Sequence, residues 1–246
     1  MFLRFQPLLQ SFIFLLGLES IIFQHEWVFL AAIFLLATSA YAGRKIGGKW
    51  FFSVLPVFFT LSSVALLYLV ALGYEQQIFI ALAAGMYYIA LLGAHRLGLY
   101  SGDKTARGMN MSAMAATIFF AYAAAYGLYL NFLVPLYDLM LAYGLVTLLV
   151  SCQYFFIIKS DDRKKVWMYS FLLALAMTEI VWTMNFWPFG YLTTGVIALI
   201  LYYVLWDLIQ SYFLNLLSQK RVVANMIFFS VLIVLVLLSA KWLPVI

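Results

Sequence analysis

Apolar runs of roughly 20 residues follow one another from end to end of this chain, separated by short polar breaks, and few folds can accommodate that pattern. The runs lack the apolar–polar alternation of strands. They read as α-helices, which satisfy their own backbone hydrogen bonds where no water is present. They lie at about 5–23, 27–43, 50–73, 77–94, 110–131, 135–158, 166–184, 190–215 and 222–241. The expected fold is all-α: a polytopic transmembrane helix bundle of about nine spans, forming one integral membrane domain over 1–246. The first two runs are short and joined by Gln24-His25-Glu26, which leaves a count of seven or eight full spans open. Pro56 falls within the third run and predicts a kink there.

Composition agrees with this reading. Charged residues make up 9% of the 246 and hydrophobic ones 67%, too little charge to coat a water-soluble globule. Arg4 and the apolar run after it have the outline of a signal peptide. No small-x-small cleavage site follows, so a retained first helix is expected.

Basic residues give an independent test of the count. With the N-terminus on the cytoplasmic side, the inner segments hold Arg4; Arg44, Lys45 and Lys49; Arg96, Lys104 and Arg107; Lys159, Arg163, Lys164 and Lys165; and Lys220 and Arg221. That is 13 of the 14 basic residues, with only Lys241 outside, and a wrong span count would scramble the alternation. The longest inner loop is expected at about His95 to Asn110. The net charge of +5 therefore points to anionic inner-leaflet lipids at the basic loops and away from nucleic acid. Short loops and the lack of a targeting signal favour a prokaryotic plasma membrane.

Ionisable residues inside a span are costly and so invite a functional reading. Asp207 lies in the inner half of the eighth run, and Tyr203, Gln210, Ser211 and Asn215 recur around it at helical spacing as one polar stripe. The stripe suits a substrate or proton path, or hydrogen bonds between helices. Glu179 sits in the outer part of the seventh run, with Trp182 and Thr183 one turn on. It suits a proton-coupled site or general acid, with interfacial anchoring as the structural alternative. Weaker outer-side candidates are Glu19, His25 and Asp138, on the same side as Glu26 and Glu75. One histidine and scattered carboxylates on different helices do not make a metal site, so neither metal nor cofactor is assigned. In the alanine-rich fifth run, Tyr122, Tyr126 and Tyr129 share a face, to line a cavity or to bond a neighbouring helix.

Several chemistries are excluded. No lysine sits mid-span for a retinal Schiff base, and His25 and His95 fall on opposite sides, so they cannot ligate one haem. No HExxH, GxSxG or GxxxxGK[ST] motif is present. Three functions remain: a small transporter or permease-like subunit using Asp207 and Glu179; a membrane-embedded enzyme acting on a lipid or isoprenoid; and a non-catalytic scaffold or assembly subunit. A membrane-protein partner or a homo-oligomer fits the last.

Overall fold

The computed structural model describes residues 2–23, 27–100, 102–132, 134–158 and 162–240. His25 and the rest of the Gln24–Glu26 connection, Lys159 and Lys241 lie outside these, as do the side chains of Arg4 and Arg221. Nine α-helices occur among the described residues: α1 (Phe2–Phe23), α2 (Val28–Gly47), α3 (Val54–Leu69), α4 (Gly73–Leu99), α5 (Lys104–Phe132), α6 (Leu136–Ile158), α7 (Arg163–Met184), α8 (Tyr191–Phe213) and α9 (Gln219–Ser239). A 3-10 turn, Trp50–Ser53, leads directly into α3. All nine, α3 together with the 3-10 turn that leads into it, are long and apolar enough to cross a membrane.

The two short runs at the start are full-length helices. α1 has 22 residues and α2 has 20, so at about 1.5 Å per residue each reaches the roughly 30 Å of a hydrocarbon core. α1 buries Pro7, Ser11, Phe14, Leu18 and Ile21, one stripe at spacings of four and three, and turns Phe5, Leu9, Phe12 and Leu16 outward.

Two expectations are corrected. The inner loop read as His95 to Asn110 is mostly helix: α4 continues to Leu99 and α5 begins at Lys104. Asp103 explains the tight turn, because its Oδ1 accepts from the amides of Thr105 at 2.9 Å and Ala106 at 3.2 Å, capping α5. Its Oδ2 meets Arg96 of α4 at 2.7 Å. Pro56 lies in the first turn of α3 rather than mid-helix, and a missing backbone N–H in that turn breaks no helical bond.

The chain divides into two compact units, Met1–Ala121 and Tyr122–Ile246, with the division inside α5. In the first, α1 packs on α2 and α4, and α3 on α2 and α4. Its core stacks Phe14 on Tyr87, ring centroids 4.4 Å apart and planes 13° from parallel, with Phe59 beside both. In the second, α7 packs on α6 and α8, and α9 on α8. Gly195 of α8 admits Ala123 of α5 so closely that an added Cβ would stand 2.9 Å from the alanine's own.

Candidate functional site

α8 builds the site around Asp207. Positions 203, 206, 207, 210 and 211 recur at helical spacing, so the expected stripe lies along one side of this helix. Asp207 is buried, with 9% of its surface exposed. Its Oδ2 accepts from Asn225 Nδ2 of α9 in a short bond of 2.6 Å. Asn225 was not apparent from sequence as a partner. The signal was present: it is the one amide side chain within the apolar α9 run, and it lies near the same end as Asp207.

The rest of the stripe splits by role. Tyr203 fills space, its ring 5.6 Å from Trp206 and 5.3 Å from Phe229 of α9. Ser211 is buried, and its carbonyl accepts from Leu216 at 2.8 Å as the chain leaves the helix. Asn215 adopts φ 55°, so it closes α8 in the left-handed conformation and is a helix terminator rather than a stripe member. Gln210 Oε1 and Trp206 Nε1 are buried without a hydrogen-bond partner among the described residues.

Glu179 and Trp182 lie elsewhere in the same unit. Both are exposed on α7, and Trp182 meets the ring of Phe186 edge-on at 5.8 Å. The Glu179 carboxylate has no polar partner among the described residues, and neither does Asp138, exposed in the first turn of α6. In the first unit, Glu19 is half-buried and accepts from Gln77 of α4 at 3.1 Å. His25 lies outside the described residues. No group of three His, Cys, Asp or Glu side chains that could hold a metal occurs among the described residues.

Reading from sequence missed the buried hydroxyl clusters. In the first unit, Tyr87 of α4 donates to Ser39 of α2 at 2.9 Å, and Ser39 shares a 2.7 Å bond with Thr60 of α3. One polar triple thus ties three helices together inside an apolar core. In the second, Tyr122 lies 2.6 Å from Thr147, and Tyr143 donates to the Tyr122 carbonyl at 3.0 Å. The two tyrosine rings stack 4.0 Å apart and 1° from parallel. Tyr202 of α8 is 2.9 Å from Ser151 of α6. Tyr122 and Tyr126 are thus buried and joined to neighbouring helices, as the structural alternative for the α5 tyrosines expected.

A groove of about 490 Å³ runs between α1 and α2, lined by Leu16, Gly17, Ser20, Trp27, Leu30 and Phe34 among others. It is almost wholly apolar, and its described lining residues include no ionisable group.

No curated protein and no solved structure matches the chain. One family model does, from within α1 to the last residue of α9, so that it takes in the Asp207–Asn225 pair, Glu179 and the buried hydroxyl clusters alike. The chain belongs to the family described as proteins of unknown function, DUF5656, whose model matches residues 10–239.

Proposed function

We propose that this chain is a multi-pass membrane protein of a prokaryotic plasma membrane, with its N-terminus cytoplasmic, and that it acts as an assembly subunit offering α7 to a partner helix. The observation that carries the reading is Glu179. It is exposed on α7 in line with Met168, Leu172, Leu175 and Trp182, all exposed, at spacings of four and three. Such a stripe is the seam by which helices pack, and a carboxylate on it is costly in lipid unless a neighbour supplies a donor. Among the described residues, the basic side chains of the helices all fall in the halves assigned to the cytoplasmic side, away from Glu179. The partner we propose is an unlike helix carrying a cation or other hydrogen-bond donor opposite Glu179, with a second copy of this chain as the competing outcome of the test. Asp207 supports the same reading, because its carboxylate is engaged in holding α9 to α8.

Photo-crosslinking from position 175 or 182 in native membranes tests this. One discrete heterologous adduct is expected, retained in Glu179→Gln and lost in Glu179→Leu. Self-adducts alone, or an adduct indifferent to both substitutions, would overturn it.

A transport reading retains one specific support, the buried Gln210 Oε1 and Trp206 Nε1 flanking Asp207. Both are ready to bond water or a polar solute. Flux into proteoliposomes that vanishes in Asp207→Asn, with folding intact, would favour it over assembly.

A further inference from the structure

The first unit carries a second feature, at the junction of α2 with the 3-10 turn. Arg44, Lys45 and Lys49 are all exposed, and none of them meets a carboxylate among the described residues. Each lies over an aromatic face instead: Arg44 is 4.0 Å from the centroid of Trp50, Lys45 5.2 Å from that of Tyr41, and Lys49 5.8 Å from that of Phe51. A ring face holds a cation without neutralising it, so the corner keeps three positive charges. A guanidinium stacked on indole still presents its N–H edge, the geometry that suits a phosphate.

The corner is a packed bracket. A Cβ on Gly43 would stand 2.6 Å from Ser53 Cα, and one on Gly98 would stand 2.8 Å from the Gly47 carbonyl oxygen. Ser53 Oγ donates to the Ala40 carbonyl at 2.8 Å, and Gly48 turns the chain at φ 75°. Close backbone packing thus fixes where the three cations stand, which lowers the ordering cost of binding.

Above them, α2 turns outward an apolar stripe of Leu30, Phe34, Ala37 and Tyr41 that leads down to Arg44 and Lys45. Exposed Tyr41 and Trp50 mark the junction, as aromatic residues do where hydrocarbon meets headgroups. An apolar strip ending in fixed cations matches the shape and charge of a phospholipid.

We infer that this corner is a binding site for one anionic phospholipid, its phosphate against Arg44, Lys45 and Lys49 and an acyl chain along the outer stripe of α2. The inference rests on the membrane reading above. The test uses the full chain, reconstituted from detergent into vesicles of phosphatidylcholine alone or with phosphatidylglycerol, with retained lipid read by native mass spectrometry. One retained phosphatidylglycerol is expected, preferred over phosphatidylcholine. In Arg44→Gln/Lys45→Gln/Lys49→Gln the preference should fall roughly tenfold or more, since each basic residue near an anionic surface contributes substantially to attraction. The charge-conserving Arg44→Lys/Lys45→Arg should keep most of it, as should Lys104→Gln/Lys220→Gln. An unchanged preference in the triple variant, or equal loss in the Lys104/Lys220 control, would overturn the inference. So would competition by inorganic phosphate as effective as that by the lipid, which would mean a free-anion site. A melting curve on each variant separates lost lipid from lost fold: a triple variant that melts like the parent and still prefers phosphatidylglycerol refutes the site. Failure to enter either vesicle would instead refute the membrane reading.

Discussion

Asn225 donates from α9 to the Asp207 carboxylate of α8 at 2.6 Å, and it does so where α9 has no fully buried residue among its described side chains. In an apolar surrounding neither group has water as an alternative partner, so each makes the other tolerable. Asn225→Leu should lower stability in detergent by about 1–2 kcal/mol, near the upper range for bonds between membrane helices. Asp207→Leu alone should cost a similar amount. The double variant should cost clearly less than the sum, because neither polar group is then stranded. Additive losses in a thermal double-mutant cycle would show that the two side chains do not meet.

The corner at Gly43 offers a packing test. An added Cβ there meets backbone, the Ser53 Cα, which cannot rotate aside. Gly43→Ala should destabilise by about 1–3 kcal/mol, the range for overpacking. Gly85→Ala on α4 is the matched control: nothing lies within 4 Å of its added Cβ, and alanine favours the helix by about 1 kcal/mol. Opposite shifts in melting temperature are expected for the two.

The Tyr87–Ser39–Thr60 triple predicts a graded response. Tyr87→Phe keeps the ring on Phe14 and leaves the 2.7 Å Ser39–Thr60 bond, so it should cost about 1 kcal/mol. Tyr87→Leu loses the stacked ring as well and should cost several-fold more. Equal losses for the two would mean the ring contributes nothing.

Acid should loosen the turn between α4 and α5. The Asp103 carboxyl is held below its ordinary value, first by the Ala106 amide and then by Arg96, against an opposing effect of burial. Because the folded value is depressed, this stabilisation is fully present above the unfolded value of about 3.9 and is lost as pH falls through the folded one. Hydrogen exchange at the amides of Thr105 and Ala106 should therefore rise below about pH 4. Asp103→Asn should flatten that acid response, and an unchanged profile would remove the carboxylate from the account.

Orientation is tested by labelling. Cys152, the single cysteine, is buried, so it gives little background. Cysteines introduced at Gly102 and Lys49 should react from the cytoplasmic side, and those at Glu75 and Tyr137 from the opposite side. Any exchange between the two pairs would refute the assigned parity.

Helix positions were legible in the sequence because apolar runs of about 20 residues, bounded by polar breaks, nearly suffice to place helices. The helices from α6 to α9 begin and end within three residues of where the apolar runs do. The errors fell where polar residues continue a helix, at His95–Leu99 and Lys104–Asn110, since charge there signals an interface rather than an end to helical bonding. The candidate site was half legible. Asp207 stood out as a charge in an apolar run, but its partner Asn225 follows it by 18 positions, and no spacing rule links two helices. Ser39, Thr60 and Tyr87 were invisible for the same reason: each is unremarkable in its own helix and becomes a cluster only on packing.

The near-uniform exterior of α9 gives the Asn225 bond a further meaning. Val222, Asn225, Phe229, Leu232 and Val236 form its half-buried face, yet apolar side chains surround the helix on its other sides as well. Greasy surfaces alone would let such a cylinder settle at many azimuths. A single amide that must find a single carboxylate selects one of them, so α9 carries its own alignment key.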